Sequence, residues 1–202
     1  MTPPFMSTSG YLRRWLWAPL LSLSLLSCQK SAPPPDLGAL ADFNLTDQAD
    51  KPIGSQTLRG KVWAAAFMFT RCPTICPRIT KQMRKLQTQA VAAEVPLTLV
   101  SISVDPDNDT PSVLREYGQR YGADFKSWSF ATGDFKVIQK TSVEGFKQAL
   151  DGKADPNAEG FGITHGSYLV LVDPSLHIRG YYRTNEDAEL TRLLQDAKTL
   201  VP

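Results

Sequence analysis

Apolar positions along this chain fall into two kinds of run. Val62-Trp63-Ala64-Ala65-Ala66-Phe67-Met68-Phe69 and Leu97-Thr98-Leu99-Val100-Ser101-Ile102-Ser103-Val104 are near-continuous and predict strands buried on both faces. Ile79, Met83, Leu86, Ala90 and Ala93 recur every three or four residues and predict a helix, with Arg78, Lys81, Arg84 and Lys85 on its other face. A second helix opens at Asp109-Thr110-Pro111, where a capping side chain precedes a proline suited to the first turn; Val113, Leu114, Tyr117 and Tyr121 form its inward face. Trp128 to Ala131 reads as a short strand, and Asp134 to about Leu150 as a helix weakened by Gly145. A polar loop runs from Gly152 to Gly162. Ser167 to Val172 and His177 to Tyr182 then predict a hairpin around Asp173-Pro174-Ser175. Leu190, Leu193, Leu194 and Ala197 mark a last helix, and Phe43 to Thr46 with Ile53-Gly54 add an N-terminal hairpin. Strands alternating with helices and ending in a hairpin predict an α/β fold, a three-layer sandwich with a mixed central sheet.

The first 27 residues depart from this pattern. Arg13 and Arg14 precede the apolar stretch Trp15 to Leu26, which is shorter than the ~20 residues a membrane span needs. The stretch ends in Leu25-Leu26-Ser27-Cys28, similar to a bacterial lipobox, in which cleavage precedes a cysteine that receives lipid. Pro33-Pro34-Pro35 follows in a segment suited to tethering a domain. The expected organisation is a signal peptide over 1–27, a lipidated tether over 28–38 and a folded domain over 39–202, placed outside the cytosol in a bacterial cell envelope. Gln29, where aspartate often retains lipoproteins at the inner membrane, hints at the outer one.

Composition narrows the classes. With 202 residues, 42% of them apolar, the chain can bury a core, which excludes a disordered protein, and three cysteines are too few for a disulfide scaffold. The net charge is +2, with 22 basic and 20 acidic residues, so no basic excess points to nucleic acid.

Chemistry concentrates in Arg71-Cys72-Pro73-Thr74-Ile75-Cys76-Pro77, at the junction of the first long strand and the first long helix. Free N–H groups and partial positive charge at a helix start stabilise thiolates, and the thiolate is both the nucleophile and the soft metal ligand. Three readings compete: a structural pair, a redox dithiol, and a soft-metal site for Cu(I), or zinc with further ligands. The chain has two histidines. His177 lies in the predicted hairpin strand, where a solvent-facing or packing role is expected. His165, in Gly162-Ile163-Thr164-His165-Gly166, precedes an apolar strand and could complete a Cys₂His copper site, although sequence separation does not establish proximity.

The ordered motifs resemble the Sco/SenC family of thioredoxin-fold copper proteins. The resemblance rests on Gly60-Lys61-Val62, Phe67 to Pro77 with its Thr-x-Cys-Pro-x-x-Cys-Pro string, Ser103-Val104-Asp105-Pro106 with Asp109-Thr110-Pro111, and His165-Gly166-Ser167 leading to Asp173-Pro174. It spans about Phe43 to Leu200. It implies a thioredoxin-like fold, with Cys72, Cys76 and His165 as copper ligands. It further implies a metallochaperone for the binuclear copper centre of cytochrome c oxidase, with that enzyme's copper-centre subunit or another exported copper protein as partner. The alternative is a thiol–disulfide oxidoreductase in which Cys72 and Cys76 act as the redox pair. A generic thioredoxin is disfavoured, because Ile163-Thr164-His165 has no proline where those enzymes carry a cis-proline. Two positions depart from the family pattern. Asn108 stands where arginine is common, which predicts a looser salt bridge in that loop. Thr164 stands where aspartate often precedes the histidine, which predicts weaker orientation of the ring.

Overall fold

The computed structural model describes Met1, residues 32–152 and residues 164–201, and for Thr164 and His165 the backbone. The expected leader, Cys28 and the polar loop beyond Gly152 lie outside the described residues. The elements run β1 (Asn44–Asp47), β2 (Pro52–Gly54), α1 (Ser55–Leu58), β3 (Val62–Met68), α2 (Ile75–Ala92), β4 (Leu97–Ser103), α3 (Pro111–Arg120), β5 (Trp128–Thr132) and α4 (Phe135–Lys140). A π-helical turn (Thr141–Gly145) continues α4, followed by β6 (Leu150–Asp151), β7 (Thr164–His165), β8 (Tyr168–Val172), β9 (Ile178–Arg183) and α5 (Asp187–Leu200).

Seven strands form one sheet in the order β2-β1-β5-β4-β3-β8-β9. β3, β4 and β5 are parallel, and β8, β9, β1 and β2 pair antiparallel, so the sheet is mixed as expected. β3 is central and buried throughout, which explains its unbroken apolar run. Its side chains alternate between layers. Trp63 and Phe67 meet Phe146, just past the π-helical turn, with ring centroids 5.8 and 5.4 Å apart in edge-to-face geometry. Ala64 and Ala66 face the other way and are wholly buried. On α2, Ile79, Met83, Leu86 and Ala90 are buried as the periodicity predicts, each large side chain contributing about 1.5–3 kcal/mol. Ala93 is exposed, because the helix has ended and it serves as the C-cap. Thr110 caps α3 with its hydroxyl accepting from Val113 N–H, and Pro111 opens the first turn, as the sequence predicts. The helix expected to run to about Leu150 stops at Gly145: Phe146 N–H bonds back to Thr141 C=O, and the chain turns out of the helix.

The segment expected as tether joins the folded body from Pro34 onward. Leu37 N–H donates to Ile178 C=O, Ile178 N–H to Gly38 C=O, and Leu40 N–H to Leu176 C=O, each at 2.8–2.9 Å. Arg179 donates to Pro34 C=O and pairs with Asp173.

Candidate metal centre

Both cysteines are placed by the exit from β3. Phe69 to Thr74 turn the chain from the sheet into α2, which puts Cys72 just ahead of the helix and Cys76 in its first turn. Both are reduced and buried, Cys72 at 7% exposure and Cys76 at none. Cys76 N–H donates to Cys72 Sγ at 3.5 Å, and the Thr74 hydroxyl lies 3.9 Å from the same sulfur. Phe69 N–H donates to Cys76 Sγ at 3.4 Å.

The two sulfurs therefore differ. The Cys76 thiol donates a hydrogen bond to Cys72, the N–H groups of Cys76, Thr74 and Ile75 converge on it, and together they hold its thiol down at about 4. Cys76 is pushed up, first by the same bond, whose proton it keeps, and then by burial. One thiolate backed by one thiol can attack a disulfide. Once the second proton leaves, the pair can grip a soft cation.

A cordon of polar groups surrounds this loop. Asp109 is wholly buried; its Oδ2 accepts from Thr70 N–H at 3.0 Å, its Oδ1 accepts from the Thr70 hydroxyl, and Ser103 Oγ donates to Oδ2. Burial pushes the Asp109 carboxyl up, against the pull of those donors. Next to Cys72, Arg71 donates to Asp105 Oδ2 through Nε at 3.1 Å and through the guanidinium tip at 2.8 Å.

His165 enters from a different direction. β8 runs antiparallel to β3, pairing Ala65 with Val170 and Trp63 with Val172. Continued without interruption, that register would set His165 opposite Thr70, just past the end of β3. The chain leaves the register there, and β7 pairs instead with β6, His165 opposite Leu150. Sequence pattern alone places this ribbon in a loop, because two-residue strands carry no periodicity. Among the described residues no cluster of three or more His, Cys, Asp or Glu could hold a metal. The two sulfurs fit copper in softness. His177 sits at the opposite end of the sheet, where its Nδ1 pairs with Asp36 Oδ2 at 2.7 Å, away from the cysteines.

The SCO1/SenC family pattern matches residues 32–201. This chain belongs to the SCO1/SenC family. A solved SCO1/SenC family lipoprotein from Bacillus anthracis is 34% identical, with a TM-score of 0.77, over 85% of this chain and 100% of that one. BsSco, solved as a Sco-family cytochrome c oxidase assembly protein with a disulfide switch, is 31% identical with a TM-score of 0.74, over 86% and 98%. A Stutzerimonas stutzeri protein, named as a candidate copper-binding protein, is 34% identical over 72% of this chain and 69% of its own length. The thioredoxin-like fold follows from the likeness to the solved members.

Within the family pattern, Asn108 proves less disruptive than expected. Its side-chain amide donates to Asp105 Oδ1 at 2.9 Å while Arg71 covers Oδ2, so both carboxylate oxygens stay paired. Asp109 is the residue whose place the sequence did not reveal. It reads as part of a helix start, yet Thr110 is the cap. An aspartate directly before a Thr-Pro cap is free to turn inward, and that adjacency was the available signal.

Proposed function

We infer that this chain is a membrane-tethered copper metallochaperone that serves assembly of the binuclear copper centre of cytochrome c oxidase. Cys72 and Cys76 bind copper as thiolates, with His165 as third ligand. The observation that carries this reading is the reduced sulfur pair at the start of α2, one sulfur already favoured as thiolate. Two thiolates and an imidazole give Cu(I) a near-trigonal site, and Cu(II) binds with one further donor. Copper is cargo here, passed to the target's copper-centre subunit, or to another exported copper protein, by ligand exchange. The names of the relatives support copper and oxidase assembly.

Cys28 carries the lipid, residues 1–27 are the removed signal, and residues 28–38 form the tether, its end from Pro34 bonded onto the Sco domain of 39–202, which faces the extracytoplasmic space. A relative described as a lipoprotein supports this. Tethering raises the effective concentration of the domain at a membrane-bound target.

Copper titration of the soluble domain tests the site. Wild type binds one copper, and Cys72→Ser, Cys76→Ser and His165→Ala each weaken binding at least tenfold. Equal binding by wild type and all three variants overturns the assignment.

The unequal sulfurs favour a second activity, reduction of partner disulfides by the Cys72 thiolate with Cys76 as resolving thiol. That activity turns over without metal and survives His165→Ala.

A further inference from the structure

We propose that Asp109 is a positioning residue for the cysteine pair, acting through Thr70. Three elements meet at its carboxylate. Thr70 follows β3 and stands two residues before Cys72, Ser103 ends β4, and Asp109 itself leads into α3. The bonds from the Thr70 N–H and hydroxyl fix the backbone where the chain leaves the sheet. The turn that presents Asp109 is itself closed, with Asn108 N–H and Asp109 N–H both donating to Asp105 C=O. Asp105 in turn holds Arg71, so Thr70 and Arg71, the two residues ahead of Cys72, are both gripped by the 105–109 turn.

A wholly buried carboxylate is costly, and where only packing is needed an apolar residue of similar size does as well. What an apolar residue cannot do is accept two bonds from one residue and so fix its backbone direction. That direction sets where Cys72 Sγ lies against the N–H groups at the start of α2. The clamp is therefore expected to stabilise the reduced arrangement, in which the Cys72 sulfur lies at the Cys76 N–H, over the disulfide, in which that sulfur must shift to bond Cys76 Sγ.

The inference rests on the cysteine pair being the functional site, and its test works with or without copper. Metal-free protein is equilibrated with glutathione buffers. Disulfide formation transfers two electrons and two protons from Cys72 and Cys76 to one glutathione disulfide, which leaves as two glutathione thiols. Loss of the clamp in Asp109→Ala shifts this equilibrium toward the protein disulfide by about tenfold, and Cu(I) affinity, read by chelator competition, falls by about the same factor. Asp109→Asn, whose side-chain oxygen still accepts from Thr70 N–H, stays within about threefold of wild type. Thr70→Val removes one bond and keeps the N–H; it shifts the equilibrium about threefold in the same direction, and covers the case in which Asp109→Ala does not fold. A residue that only stabilises the fold would lower the melting temperature of both redox forms and leave the equilibrium unchanged. An unchanged glutathione equilibrium in Thr70→Val, and in Asp109→Ala where it folds, overturns the proposal. Wild type that binds no copper overturns the chaperone reading instead, and leaves the glutathione result to decide on Asp109.

Discussion

Cys76→Ala tests the physical origin of the unequal sulfurs. The variant removes the thiol whose hydrogen bond is the largest cause of the low Cys72 value, about 4, and leaves the backbone N–H groups of Thr74, Ile75 and Cys76 in place. A hydrogen bond to a charged group contributes about 1.5–3 kcal/mol, and one pH unit corresponds to about 1.36 kcal/mol. Cys72 in the variant therefore titrates about one to two units higher, near 5 to 6, still well below the ~8.5 of a free thiol. The assay is the pH dependence of iodoacetamide alkylation in metal-free protein, checked by thiolate absorbance near 240 nm. A midpoint unmoved from about 4 would show that the Cys76 thiol does not set the value. A midpoint near 8.5 would show that the helix start contributes nothing. The sign for stability follows. A thiol depressed in the folded state stabilises the reduced fold fully above its unfolded pKa, near 9, and loses that contribution as pH falls toward 4. Reduced wild type therefore loses this part of its stability between about pH 9 and 4, and Cys72→Ser lacks it, as paired denaturation curves at pH 8 and pH 5 will show.

Other substitutions separate fold from site. Gly118→Ala puts a methyl 2.7 Å from Phe125 and 2.8 Å from Phe130; it lowers stability by about 1–3 kcal/mol in urea denaturation and leaves copper affinity unchanged. Met83→Ala, in the buried face of α2, costs about 2–5 kcal/mol by the same measurement. A soluble form starting at Ala39 loses the Leu37 and Gly38 bonds to Ile178, each worth a net ~0.5–1.5 kcal/mol, and melts below a form starting at Ala32; equal melting would show that the strap adds nothing.

The sequence carried the layers because each layer has a period. β3 and β4 are apolar on both sides, and α2, α3 and α5 repeat at three and four. Cys72 and Cys76 were legible for the same reason, since the junction of two strong patterns locates a helix start. What stayed hidden depends on contacts between distant segments. The strap from Pro34 to Leu40 has no period of its own and is ordered by the edge of β9. Gly145 flagged a weak point in the fourth helix, but the widened turn through which the chain leaves there is not encoded by propensity. Asp109 looks polar and surface-bound in sequence, and only the closing of its turn over the end of β3 sends it inward.

The three proposed ligands are held by elements of very different stability, and that difference bears on delivery. Cys72 and Cys76 hang from β3, buried throughout, and α2, the longest helix among the described residues, with Asp109 and Asp105 bracing the loop between. His165 belongs to a short ribbon outside the main sheet, in which, among the described residues, it pairs with Leu150 and Thr164 with Asp151, and Gly166 N–H donating to Ala149 C=O adds the next rung. The rungs described for this ribbon lie outside the buried main sheet, whereas β3 is buried over all seven residues. In the proposed copper cycle, an acceptor protein that supplies its own donors displaces the imidazole first, while the two sulfurs still hold the ion. Copper then leaves in two exchanges of modest cost rather than one large one, which suits a carrier whose cargo must be both held and surrendered.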